Sequence, residues 1–303
     1  MKQKKLFIGI MLLSTVSLFS QTVTVEKTYR LSESQNGFHP TFNKEGNLLA
    51  FSTSGYQGLN IYDFGNQKLI AVTDEAGAGY EPVFSNDNSK IFYKNTVYVS
   101  RLRHTGIKSF DLANNTSKEM LAPSRNLAPA QSFHNGFVVV SDKKLLKATF
   151  GAVTEPVSNY VWSDGTNLNI YKNNKITALN PIADASGYIW ASLSPDGKMI
   201  LFHATTKGTY VCDLNGKIIA SLGHLNAPTW YGNDYAVGMR DLDDGHNVTE
   251  SKIVMKSING KTEKQLSLPE HIAMYPTASA VAKKIAYNTD KGEIYIVELN
   301  TNQ

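Results

Sequence analysis

Only one cysteine, Cys212, occurs in 303 residues. No internal disulfide can form, so the core must hold by packing alone. Cys212 lies in the apolar run TYVCDL (209–214), which reads as a buried structural thiol rather than a nucleophile. Proline is scarce at ten residues, while 15 Tyr, 13 Phe and 22 Gly lean the chain toward strands and turns. Beyond residue 20 there is no apolar run of the roughly 20 residues needed to cross a bilayer, and no amphipathic helical pattern of useful length. The G-x-S-x-G nucleophile elbow is missing, because STSGYQG (52–58) lacks the first glycine. The seven histidines form no H-x-x-x-H or H-E-x-x-H pair. No phosphate loop, Cys/His nucleophile arrangement or spaced carboxylate pair stands out.

An apolar fraction of 42% with 18% charged residues excludes a disordered chain. The first twenty residues, MKQKKLFIGIMLLSTVSLFS, carry Lys2, Lys4 and Lys5 before an apolar run, and small or polar residues follow. This is the layout of a secretory signal peptide, with cleavage expected after Ser20, and it predicts a bacterial periplasmic or secreted protein. The apolar run is short for a membrane anchor, and no cysteine stands at the cleavage point to take a lipid. Removing the three lysines lowers the net charge from +4 to +1, with 27 basic against 26 acidic side chains. A nucleic-acid or anionic-membrane partner therefore loses its electrostatic support. Residues 21–303 are expected to form one domain.

What is abundant is a repeated hairpin. SLSPDGKMILF (192–202) has weaker copies in TFNKEGNLLAF (41–51) and VFSNDNSKIFY (83–93). Just before the hairpin turn stands an x-Pro-like element, opened by His39, Glu81, Ala128, Trp190, Ala227 and Tyr275. A second element is an extended strand, found as NIYDF (60–64), IKSFDL (107–112), NIYKNN (169–174), TYVCDL (209–214), IVMKSI (253–258) and IYIVEL (294–299). Both markers count six. A period near 40–50 residues with four short strands per unit suits a β-propeller blade, so the expected fold is a six-bladed propeller of four-stranded antiparallel blades. The last repeat stops after its third strand, and TVTVEKTYRL (22–31) is expected to supply its outer one. The third repeat is anomalous. It runs 62 residues to the next marker where the others run 37 to 48, and 136–162 has room for an extra hairpin.

The pattern P-x-F-S-P-D-G-x-x-I-x-F followed by I-Y-x-x-D-L resembles the TolB-like propeller repeat, which also recurs in prolyl oligopeptidase-type peptidases. The likeness spans nearly all of residues 21–303 and implies a fold rather than an activity. Two departures follow from it: there is no room for the α/β domain that precedes the TolB propeller, and no hydrolase domain. Some pectin-degrading lyases with related propellers hold a metal through channel histidines; only His39 matches such a position here.

Propeller geometry places His39, Glu81, Ala128, Trp190, Ala227 and Tyr275 around the mouth of the central channel. The loops joining second and third strands share that face, including the basic stretch with Arg101, Arg103 and His104 and the acidic DLDDGH (241–246). The candidate ligand or partner residues are therefore His39, Glu81, Trp190, Tyr275, Arg101, Arg103, Asp241, Asp243 and His246. The acidic loop fails the EF-type order because position 245 is glycine, so its carboxylates are expected to accept turn N–H groups rather than hold an ion. The sequence favours a non-enzymatic, monomeric exported propeller, without cofactor, that binds a protein or cell-envelope component through the mouth face. The alternative is a metal-dependent carbohydrate-active lyase or hydrolase using His39, Glu81 and the 241–246 loop.

Overall fold

The turn Ser194–Gly197 shows how the repeat folds. Ser194 Oγ accepts the backbone N–H groups of Lys198 (3.1 Å) and Met199 (2.9 Å) and donates to Asp196 Oδ1 (2.7 Å). Gly197 turns the chain at φ +70°, a conformation that costs glycine little. The strand that follows, Met199–Ala204, buries Ile200, Leu201 and Phe202 completely. The other copies use the same device. Ser85 accepts from Lys90 N–H and donates to Asp87, and Asn43 accepts the N–H of Leu48. These turns also bond from one repeat to the next: Asn88 to Glu45, Ser132 to Asn86, Asp196 N–H to Asn233, Ser279 to Lys44. They form the face opposite the channel mouth, here called the far face.

The computed structural model describes residues 22–34 and 36–302. The expected signal peptide and its cleavage point lie outside the described residues. Among the described residues the chain forms 26 strands in seven sheets. Blades 1, 2, 5 and 6 are four-stranded and span 38–76, 83–124, 188–223 and 226–265. Blade 7 joins three strands over 273–302 to Thr22–Arg30, which pairs antiparallel with Ile294–Asn302. The closing strand thus comes from the N-terminal end, as the unfinished last repeat predicts.

The ring has seven blades, and the expected count of six is wrong. The overlong third repeat is two blades of three strands each, at 131–148 and 159–179. The two markers agreed on six because each skips a different blade. Ala128 opens blade 3, whereas NIYKNN (169–174) belongs to blade 4. The hydrophobic core gives the count independently. It falls into seven clusters, each shared by two neighbouring blades. A lone sheet cannot bury both faces, so every blade is covered by its neighbours. Cys212 sits fully buried in the cluster between blades 4 and 5, where burial pushes its thiol pKa up to about 12.

Blades 3 and 4 depart from the others in which strand each lacks. The first turn of blade 3 is on the far face, because His134 carbonyl accepts from Asn86 N–H. Its second turn is at the mouth, with Asp142 N–H bonded to Asn126 carbonyl. Blade 3 therefore holds an inner, second and third strand and no outer one. In blade 4 the strand Asn159–Ser163 starts on the far face, where Asn159 Nδ2 meets Gly197 carbonyl. It ends at the mouth, where Gly165 carbonyl accepts from Tyr188 N–H at the start of blade 5. Blade 4 thus lacks the inner strand, and residues 149–158 join the two blades along the far face. The seam between them rests on only Val138, Val140, Tyr160 and Trp162 as fully packed residues, against twelve between blades 6 and 7.

Candidate functional site

Five of the six residues that open an inner strand are in the left-handed region although none is glycine: His39 (φ 53°), Glu81 (53°), Trp190 (53°), Ala227 (43°) and Tyr275 (50°). Ala128 of blade 3 is the exception. In blades 1, 5, 6 and 7 the same place breaks the strand register, between Phe38 and Thr41, Ile189 and Ser192, Asn226 and Thr229, Met274 and Thr277. This is a β-bulge, which re-aims a side chain out of the strand plane. Such backbone costs about 1 kcal/mol or more at each non-glycine residue. It recurs at the channel mouth in five of the seven blades.

On one side of the mouth these side chains form an aromatic stack. The His39 ring lies 3.9 Å from that of Tyr56, nearly parallel, and 4.3 Å from that of Tyr275. Tyr56 in turn meets Tyr80 edge-on at 5.0 Å. Burial without a charged partner pushes the His39 pKa down to about 4, so the imidazole is neutral at pH 7. Burial pushes the Tyr56 phenol up to about 12. The Tyr80 phenol rises to about 12, chiefly because the Glu81 carboxylate is beside it. Glu81 pairs with the buried Lys94 at 2.8 Å, and the Lys94 ammonium sits 4.1 Å from the Tyr80 ring centre. Burial pushes Lys94 down, and Glu81 opposes the shift.

On the other side the mouth widens into a cavity of about 1250 Å³ over blades 2 to 5. Glu81, Lys94, Arg103 and Trp190 line it, and it continues between blades 3 and 4 past Val140, Trp162 and Ile176. Trp190 is 37% exposed and meets His203 edge-on. Arg103 lies in the stem of a long hairpin, Lys90–Val99 with Leu102–Asp111, whose tip carries Arg101. That tip exposes Val97, Tyr98, Val99 and Leu102, with Tyr98 71% exposed.

The acidic stretch occupies a second long hairpin, in blade 6, and its residues do separate things. Asp241 is buried; Asn226 donates to both its carboxylate oxygens and His224 lies 3.4 Å away. Asp243 accepts the N–H of Gly245, and Asp244 those of His246 and Asn247. These bonds hold Asp244 below the usual carboxylate range. Asp243 and His246 stand exposed at the hairpin end. The structure therefore brings Glu81, Arg103 and Trp190 to one cavity and His39 with Tyr275 to the adjoining stack. It leaves Arg101, Asp243 and His246 on hairpin tips. Among the described residues no group of three or more His, Cys, Asp or Glu is placed to hold a metal ion.

Sequence reasoning missed Arg125, Lys143 and Trp162 as cavity residues. Lys143 and Trp162 lie in the overlong third repeat, within 136–162, and Arg125 just before the element that Ala128 opens. The turn SDKK (141–144) after a run of valines was the available signal.

No protein-family profile and no curated protein sequence matches the chain. Solved structures do. The β-propeller domain of Cps50 (Swd1) from Myceliophteria thermophila aligns with a TM-score of 0.62 at 12% identity, covering 91% of this chain and 99% of that one. A chain of the mitotic checkpoint complex gives 0.61 at 8% identity, covering 98% of each. TolB from Acinetobacter baumannii gives 0.49 at 14% identity, over 87% of this chain and 56% of that one. At such identities the likeness is one of fold: the chain is a β-propeller, and nothing in the comparison singles out the TolB type. No helix among the described residues is long and apolar enough to cross a membrane.

Proposed function

We propose that this chain is an exported, non-catalytic propeller that binds a protein partner of the cell envelope through its channel-mouth face. The carrying observation is where large apolar side chains are exposed. Of eleven among the described residues, seven lie on the mouth face: Tyr80, Val97, Tyr98, Val99, Leu102, Trp190 and Leu242. Four of the seven, Val97, Tyr98, Val99 and Leu102, share the tip of one hairpin; clustered exposed apolar side chains of this kind mark interaction sites on soluble proteins, and exposed Tyr and Trp serve as anchors there. Propeller neighbours that belong to a protein complex support the same reading. Export rests on the amino-terminal signal alone. The lyase alternative has no observation in its favour.

A photo-crosslinking residue placed at Tyr98 should trap discrete envelope proteins, whereas one at Val281 on the far face should not. Equal capture at both positions, or none at Tyr98, would overturn the mouth-face reading. Residues 1–20 fused to alkaline phosphatase should give periplasmic activity, and its absence would overturn export.

A further inference from the structure

We infer that the slot between blades 3 and 4 is a groove for an extended acidic peptide, one apolar side chain of which seats between the blades. This rests on the protein-binding reading and names the chemistry of the partner. The first argument is topological. Blade 3 has no outer strand and blade 4 no inner one, so the cavity runs from the channel out between two sheets instead of closing around a pore. Its walls come from the facing sides of both blades. Trp162, Asn169 and Ala178 stand side by side across the three strands of blade 4, and Val140 faces them from blade 3.

Size favours an occupant larger than a small metabolite. The mouth and slot together enclose about 1250 Å³, above the range of roughly 300–1,000 Å³ usual for small-molecule sites. Charge selects the sign of the ligand. Arg103, Arg125 and Lys143 line the cavity, all exposed, and among the described residues none of them is in an ion pair. The cavity's carboxylates are already engaged. Glu81 is bound to Lys94, Asp142 accepts from Asn126, and Asp164 accepts from Thr166, Asn167 and Asn169. The four lining cations, Lys94, Arg103, Arg125 and Lys143, outnumber the carboxylates of Glu81, Asp142 and Asp164 by one, and the three without an ion-pair partner favour an anionic partner.

The slot's floor favours a peptide over an acidic sugar. Trp162 is only 6% exposed and packs 5.0 Å from Tyr160, so the floor offers little aromatic surface on which a sugar could stack; the exposed Trp190 stands outside it, on blade 5. Val140, Ile176 and Ala178 add apolar lining there, which favours one apolar side chain in the occupant.

The test uses the full chain and a display library of random peptides of about 12 residues, long enough to span the slot when extended. Enriched peptides should carry at least two acidic residues around one large apolar one. Their affinity should fall at least about tenfold in Arg125→Glu/Lys143→Glu, and equally in Ala178→Trp, which fills the slot without changing charge. All three positions are exposed, and unchanged melting curves will confirm the fold of each variant. Enrichment of neutral or basic peptides, binding that survives both variants, or no enrichment at all would overturn the inference. So would displacement of the selected peptides by an acidic oligosaccharide that binds more tightly in the same slot. Peptide binding lost on Tyr98→Ser but retained in both slot variants would refute the groove while leaving the protein-binding reading intact.

Discussion

Acid should weaken this fold through His39. Its ring is held neutral between Tyr56 and Tyr275, with a pKa of about 4, while in the unfolded chain it titrates near 6.5. Because the folded pKa is depressed, the stabilisation is complete above the unfolded value and is lost as pH falls from 6.5 toward 4. Linkage across that difference gives about 2.5 kcal/mol between pH 7.5 and 4.5. The ring is only half-buried, so water and the favourable contact of a cation with two tyrosine faces reduce this to about 1.5 kcal/mol. Carboxylates elsewhere also titrate, so the assay is a difference. Denaturant unfolding of the native chain and of His39→Gln at both pH values isolates the histidine. The gap between them should shift by about 1.5 kcal/mol against the native chain at the lower pH. A gap that does not change with pH would refute the assigned cause, and a gap shifting the other way would mean that the tyrosines stabilise imidazolium.

Deleting residues 22–30 removes the outer strand of blade 7 and bares the edge of Ile294–Asn302; the protein should melt far lower or aggregate on heating, as seen by light scattering. Gly187→Ala places a Cβ 2.0 Å from the backbone oxygen of Gly165, where the mouth turn of blade 4 meets blade 5. Two backbones cannot easily part, so a loss of about 1–3 kcal/mol is expected in denaturant melts. Calcium in excess should leave the melt unchanged, since Asp243 and Asp244 already accept turn N–H groups. An ion held at a hundred times its Kd would add about 2.7 kcal/mol, and a rise lost in Asp243→Ala would show a true site.

The propeller itself was legible because its hairpin turn demands particular side chains. A short acceptor such as Ser194 or Asn43 must precede the turn, and a residue tolerating positive φ must sit within it. The mouth residues were legible for a related reason: the left-handed residue at His39, Glu81 and Tyr275 is followed by proline, which leaves an x-Pro signature. The blade count was not, because both markers belong to strands that blades 3 and 4 do not equally possess. Without an inner strand, blade 4 has no bulge and writes no such element, so Trp162 carries no mark. Its turn Ser163-Asp164-Gly165 even resembles the Pro-Asp-Gly turns of the far face, yet it sits at the mouth. Local chemistry specifies a reversal but not which end of the sheet it serves.

Strand number per blade carries a parity. A four-stranded blade returns the chain to the face from which it entered, and a three-stranded blade delivers it to the opposite one. A single three-stranded blade would therefore run every later strand backwards and leave the N-terminal strand at the wrong end of blade 7. The two short blades cancel one another only because both are present, with the crossing at 149–158 between them. What is missing is accordingly one continuous up-and-down pair, the outer strand of blade 3 and the inner strand of blade 4, removable or restorable in a single event at one point in the chain. Loss of either strand alone would break the ring; loss of both leaves it closed, with an aperture where they would have been.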